Sequence, residues 1–187
     1  MIDFLLARRS SRPAMLGDPG PTPEDLNKIL TVAARVPDHK KLVPWRFIVF
    51  EGEARALFGA QLAEICAQEE AEPLSPVRLE TERARLMRAP VVIAVVSRIN
   101  RERGVPELEQ TLSAGAACLN LCHAANALGY GTSWITEWYS FSPGVRGLMK
   151  LTDDEQIAGF IYVGTASEKQ QDRDRPTLTD IVSRWEA

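Results

Sequence analysis

Gln110-Thr111-Leu112-Ser113-Ala114-Gly115-Ala116-Ala117-Cys118-Leu119-Asn120-Leu121-Cys122-His123-Ala124-Ala125-Asn126-Ala127-Leu128 is rich in Ala, Gly, Ser and Cys and holds no Asp, Glu, Lys or Arg. A helix that is apolar all round has to be buried all round. In a chain of 187 residues that can be met in two ways. The helix can run through the middle of one subunit, or it can pack against the same helix of a second copy, where small residues allow close approach. The second is the expected arrangement.

The neighbouring segments fit a layered domain around such a helix. Upstream, Pro90–Ser97 contains Val91-Val92-Ile93-Ala94-Val95-Val96, the unbroken apolar pattern of a strand covered on both faces. Downstream, Gly129-Tyr130-Gly131 leads into a short strand over Thr132–Glu137. Thr22-Pro23-Glu24-Asp25 reads as a helix start, with a hydroxyl N-cap, proline at the first turn and acids at the positive end of the dipole. That helix closes near Arg35, before Pro37. Pro44–Glu51 reads as a strand, Ala54–Glu70 and Val77–Arg88 as helices, Ser142 to about Lys150 as another. Thr152-Asp153-Asp154-Glu155 has capping-box spacing, and Ile157–Val163 is the last strand. Alternating helices and strands without a linker or repeat give one layered α/β or α+β domain over residues 1–187.

Hydrophobic residues make up 45% and charged residues 25%, with a formal net charge of −3. This is the composition of a soluble globular protein, and it argues against a general nucleic-acid or polybasic membrane binder. The apolar start, Met1–Leu6, carries Asp3 and is too short for a signal h-region. No later stretch reaches the roughly 18 apolar residues of a membrane span. Three cysteines, all in predicted helices, suit a reducing cytoplasm.

Three clusters could carry chemistry. Arg8-Arg9-Ser10-Ser11-Arg12 gathers guanidiniums and hydroxyls that match phosphate oxygens; taken alone it also suits a solvated helix end. Arg35-Val36-Pro37-Asp38-His39-Lys40-Lys41 runs into Pro44-Trp45 at a helix–strand turn, a common place for ligand groups, and taken alone it reads as a charged loop. Leu128-Gly129-Tyr130-Gly131-Thr132-Ser133-Trp134 offers backbone for close approach, but it is not the dinucleotide fingerprint: a third glycine is missing and the motif follows a helix. Gly129 could equally be a helix cap. Cys118 and Cys122 share a helix face, but His123 lies about 100° away and no second ligand pair stands elsewhere, so small core residues are the expected reading and no metal is expected.

In their order and spacing, Arg8-Arg9-Ser10, Pro37-Asp38-His39-Lys40, Pro44-Trp45-Arg46-Phe47, Ser113-Ala114-Gly115-Ala116-Ala117, Leu128–Trp134 and Gly159-Phe160-Ile161-Tyr162-Val163-Gly164-Thr165 resemble the nitroreductase family, above all its short, compact branch. The resemblance covers roughly residues 1–165. It implies an α+β fold, with a central mixed sheet flanked by helices, and a homodimer holding two FMN molecules at the subunit interface. Residues matching Arg8, Arg9 and Ser10 hold the FMN phosphate and ribityl end. Arg12 matches a basic residue near the flavin's N1/O2 edge. Arg35 and His39 match residues that reach the flavin from the other subunit, and Trp134, Ile135 and Thr136 match the strand lying against it. Ala124, Ala125, Asn126, Ala127, Leu128 and Gly129 match a segment assigned to the nicotinamide nucleotide.

The resemblance further implies ping-pong transfer of hydride from NAD(P)H, through flavin, to a nitroaromatic, quinone or similar small acceptor, with no protein nucleophile or essential general base. Where many members carry Ser, Asn and Gln before Pro-Trp, this chain has Asp38, Lys41 and Val43. The basic C-terminal phosphate grip of longer members has Lys169, Arg173 and Arg175 as its candidates. Two other readings remain open: a flavin-binding or flavin-processing protein of the same fold without general reductase activity, and a non-enzymatic α/β interaction dimer.

Overall fold

A computed structural model describes residues 1–168 and 170–186. Lys169, one of the three phosphate-grip candidates, lies outside the described residues. The chain begins with α1 (Ile2–Ala7), β1 (Leu16–Gly17), α2 (Pro23–Ala33) and β2 (Trp45–Glu51). It continues through α3 (Glu53–Glu69), α4 (Pro76–Arg83), β3 (Val91–Arg98) and α5 (Glu107–Ala127). The last elements are β4 (Gly131–Ile135), α6 (Pro143–Leu148), β5 (Glu155–Ala166) and α7 (Leu178–Ile181). Among the described residues, no helix is long and apolar enough to cross a membrane.

The sheet runs β1-β5-β3-β2, with β4 also on β5. Every pairing is antiparallel, which corrects the mixed sheet expected from sequence. Two connections explain the difference. The helix pair α3–α4 returns the chain to the end where β2 stopped, so β3 runs back against it. The single helix α5 makes β3 and β4 run the same way, as a crossover should. β5 then inserts between them, pairing Val91–Arg98 on one edge and Gly131–Ile135 on the other, so no parallel neighbours meet.

Strand β3 is buried on both faces, as its composition requires. Val91, Ile93 and Val95 pack with Ala114, Ala117, Cys118, Leu121 and Ala125 of α5 and with Ile29 and Ala33 of α2. Val92 and Ala94 face Phe58, Leu62, Leu86, Tyr139, Phe160 and Tyr162. Small residues on α5 let it lie close to the sheet, but its outer face, with Leu108, Leu112 and Leu119, stays exposed in this chain. The all-round burial expected from its composition is therefore met on one side only.

Helix α2 starts as predicted: Thr22 Oγ1 accepts from the Asp25 amide at 3.1 Å, and Ser75 and Ser142 cap α4 and α6 in the same way. The helix expected over Val77–Arg88 stops at Arg83 and continues as a 3-10 turn over Arg85–Arg88. Thr152–Glu155 is the other departure. The Glu155 carboxylate does accept from the Thr152 amide at 3.2 Å, which is half of a capping box, yet Glu155 opens β5 rather than a helix. Arg46 takes the same carboxylate at 2.6 and 2.9 Å, fixing it in the sheet.

Candidate functional site

Helix α1 ends at Ala7, and Arg8 turns the chain into extended backbone. The Ser11 amide then donates to the Thr132 carbonyl at 2.8 Å, tying the basic cluster to β4. Arg8, Arg9, Ser11, Asn126, Gly129, Tyr130 and Gly131 line one pocket of about 250 Å³. Its floor is tight: a Cβ on Gly131 would stand 2.7 Å from Leu16 Cδ2 and 2.8 Å from Ser11 Oγ. Gly129, with φ of 94° and open space where a Cβ would be, leaves its backbone accessible.

The two pocket arginines differ. Arg9 Nε donates to the Gln171 carbonyl at 2.9 Å and lies 3.7 Å from Asp172, which Arg175 also approaches at 3.3 Å. Through that shared carboxylate the C-terminal segment brings Arg175 to the edge of the basic cluster. Arg173 is exposed, its amide donating to the Asp172 carboxylate. Arg8 is half-buried, and among the described residues no acidic side chain lies within 4.0 Å of it. Ser10 and Arg12 are exposed and do not line this pocket; Ser11, the second hydroxyl of the cluster, does.

Of the segment matched to the nicotinamide nucleotide, Ala124 and Ala125 belong to the core. Asn126 turns inward, donating to the Tyr130 carbonyl at 2.8 Å. Ala127 and Leu128 face a second, apolar groove of about 860 Å³ between α1, α2 and α5, shared with Phe4, Val32 and His123. Burial holds the His123 imidazole below its usual pKa, and the Arg8 guanidinium beside it acts in the same direction. Burial also pushes the Cys118 thiol up to about 12 and the Cys122 thiol upward, so both behave as core thiols.

Arg35 and His39 stand elsewhere. Asn120 donates to the Arg35 carbonyl at 3.0 Å, while His39 Nδ1 lies 2.8 Å from Glu109 in the first turn of α5. Glu109 and the pocket residue Asn126 are roughly 25 Å apart along a helix axis. One chain therefore brings the Arg8 cluster and the Gly129–Gly131 turn together, and leaves His39 at the far end of α5.

Trp134 projects from β4 and lies across Gly159, its indole Nε1 donating to the Ala158 carbonyl at 3.2 Å. A Cβ on Gly159 would fall 2.0 Å from that nitrogen, so the glycine makes the seat for the ring. Ile135 turns to the opposite core, and Thr136 lies just past the end of β4, exposed. Beyond it, Glu137 is held by Arg85 and Arg88, a cluster that sequence reading missed because its partners come from the distant turn after α4.

Comparison with known proteins places this arrangement. The model of the Nitroreductase family matches residues 5–165. YdjA of Escherichia coli strain K12, provisionally named an NAD(P)H nitroreductase, is 36% identical over 170 residues, covering 90% of this chain and 89% of its own. A Haemophilus influenzae protein of the same provisional name is 33% identical over 175 residues, covering 91% and 90%. A nitroreductase-like family protein from Bacillus cereus shares the fold at a TM-score of 0.82 and 20% identity, over 100% of this chain and 96% of that one. So does a provisionally named Desulfovibrio desulfuricans nitroreductase, solved in complex with FMN, at a TM-score of 0.73 and 21% identity over 100% and 97%. With the family model spanning most of its length and relatives above 30% identity covering nine-tenths of it, the chain belongs to the nitroreductase family of oxidoreductases.

Proposed function

We propose that this chain is an FMN-dependent NAD(P)H oxidoreductase that works as a homodimer, with ping-pong turnover on small flat acceptors such as nitroaromatics and quinones. The observation that carries this reading is Arg8. It is a half-buried arginine in a pocket walled by the Gly129–Gly131 backbone, with no ion-pair partner within 4.0 Å among the described residues. Glu168 also lines this pocket but makes no ion pair with Arg8, and an arginine left without an ion-pair partner in such a pocket favours an anionic ligand. Two arginines and the neighbouring serines are the donor set for a phosphate monoester, so the residues present fit FMN.

Bound FMN would supply the electron relay between nicotinamide and acceptor, and the chain would bind and orient the partners. In this reading Arg8, Arg9 and Ser10 take the phosphate and ribityl end, with Arg12 toward the N1/O2 edge. Trp134, Ile135 and Thr136 border the ring, and the exposed part of Ala124–Gly129 receives the nicotinamide nucleotide. The separation of His39 from Arg8 supports a site completed by a second copy that contributes Arg35 and His39. The exposed face of α5, with Leu108, Leu112 and Leu119, and the half-buried Gly115 and Ala116 beside it support a helix-to-helix contact between copies.

The test is a visible absorption spectrum of the purified protein, before and after anaerobic NADPH and then NADH. Flavin bands that bleach are expected, and the better donor identifies the preferred nicotinamide. Bands that persist with both donors would point instead to a flavin-binding protein without reductase activity. No bands after loading with FMN and removing the excess would defeat the reading.

A further inference from the structure

The loop between α2 and β2 has an uncommon backbone. Lys40, Lys41 and Val43 have φ of 59°, 52° and 50°, the left-handed region that non-glycine residues enter against steric resistance, greatest for a β-branched one. Glycine is the ordinary solution, and residues 35–51 contain none. Packing of the strained side chain does not offset this, because Val43 is 43% exposed.

The shape is held by hydrogen bonds within the loop and from its neighbours. One oxygen of the Asp38 carboxylate accepts from the Leu42 amide and the other from the Val43 amide, both at 2.9 Å. Arg98 Nε donates to the Val43 carbonyl at 2.9 Å, Lys40 Nζ to the Arg103 carbonyl at 3.0 Å, and Ser113 Oγ to the Pro37 carbonyl at 2.6 Å. Strained backbone persists where its surroundings over-determine it, and it concentrates at ligand sites and clamps. What this loop carries at its exposed crest is His39, Lys40 and Lys41.

We propose that Asp38 is a positioning residue: by bridging the Leu42 and Val43 amides, its carboxylate holds the left-handed loop that presents His39 to the cofactor site of a second copy. This rests on the FMN reading given above. Asp38 itself touches no ligand. It acts through the backbone, and losing it lets residues 39–43 relax to ordinary φ values and withdraw His39.

The experiment uses purified full-length protein and reads the FMN dissociation constant by fluorescence titration, with the thermal midpoint measured without added FMN. Wild type is compared with Asp38→Ala, Asp38→Asn, and Asp38→Ala combined with Val43→Gly. Asp38→Ala is expected to weaken FMN binding about tenfold. Asp38→Asn, which keeps one acceptor oxygen, is expected to fall between it and wild type, and provides the reading if the alanine variant does not fold. Adding Val43→Gly is expected to restore part of the affinity, because glycine enters the left-handed region at position 43 without the steric resistance that the tether offsets for valine. An unchanged dissociation constant in Asp38→Ala overturns the proposal. So does a loss that Val43→Gly fails to recover while the thermal midpoint falls, which is the signature of a purely structural residue. A wild-type protein that binds no FMN overturns the cofactor reading itself, and this proposal with it.

Discussion

Arg88 holds Glu137 edge to edge, its two terminal nitrogens 3.0 and 2.8 Å from the two carboxylate oxygens. The same guanidinium donates to the Tyr162 hydroxyl at 2.9 Å, which in turn lies 2.9 Å from the Tyr139 hydroxyl. Arg85 adds a third contact to Glu137 at 3.0 Å. Glu137 is the residue after Thr136, so these bonds fix the direction in which the chain leaves β4. Replacing Glu137 with Ala leaves two arginines short of a partner beside a tyrosine pair. It should cost about 2 kcal/mol of stability, measured by urea unfolding. A change inside ±0.5 kcal/mol would mean that Tyr139 and Tyr162 suffice to hold Arg88.

Glu82 supports this cluster from inside. It has no solvent exposure and accepts from Arg85 at 2.7 and 2.8 Å, Trp138 Nε1 at 2.9 Å and Arg78 at 2.7 Å. Burial alone would raise its pKa, but the bonds from Arg85 and Trp138 and the arginine charges outweigh it, and the carboxyl is held below its ordinary value of 4.5. A depressed folded pKa gives stability that is present above the unfolded value and is lost as pH falls through the folded one. Glu82→Gln should therefore lose about 3 kcal/mol at neutral pH and show a flatter decline below pH 4.5 than wild type. Parallel acid-denaturation curves for the two proteins would count against the assignment.

Trp134 and Gly159 form a seat that tolerates no side chain. Gly159→Ala places a methyl group 2.0 Å from the indole nitrogen and 2.4 Å from Cδ1, so the ring must swing off β5 and give up its bond to the Ala158 carbonyl. The fold should survive, with a loss of about 1–2 kcal/mol from overpacking. Tryptophan emission should shift to the red, and the shift should disappear in a Trp134→Phe background. If Trp134 borders the flavin, FMN affinity falls alongside it. An unshifted spectrum would show that the indole adjusts in place.

How far the sequence could be read depended on how local the cause was. Helix α2 was legible at its start because Thr22, Pro23 and Asp25 form a cap within four residues. Strand β3 was legible because burial on both faces leaves no alternation. The sheet's sense was not, because β5 enters between β3 and β4 from the end of the chain, and nothing in β3 records that. Glu155 misled in the same way: its contact with Thr152 has helix-cap spacing, while Arg46, 109 positions away, puts it in a strand. At the candidate site, the Arg8–Ser11 cluster and the Gly129–Gly131 turn stood out as motifs, and the structure joins them. Asp38 stood out in the sequence only as a departure from the family's pattern, because the Leu42 and Val43 amides that it bridges are backbone groups brought to it by the folded loop. Glu82 and Glu137 left no sequence signal, since their partners are brought together only by tertiary packing.

Arg8 can be tested by two readouts that do not depend on each other. As the pocket cation without an ion-pair partner among the described residues, it should contribute a charged hydrogen bond to an FMN phosphate. Arg8→Ala should then weaken FMN retention about ten- to a hundredfold while circular dichroism and the thermal midpoint of the unloaded protein stay near wild type. Tight, stoichiometric FMN in this variant would remove Arg8 from the phosphate role. The second readout is His123, whose pKa is held below 6.5 first by burial and then by Arg8. A depressed histidine stabilises the fold above its unfolded pKa and loses that contribution as pH falls below about 6.5 toward the folded value. Removing Arg8 should raise the His123 pKa measured by NMR titration and soften the decline in stability on that acid side. A rise in the His123 pKa with unchanged FMN binding would place Arg8 beside the histidine but outside the cofactor site. An unmoved pKa with weakened FMN would mean that burial alone sets the imidazole, and that the guanidinium points toward the pocket.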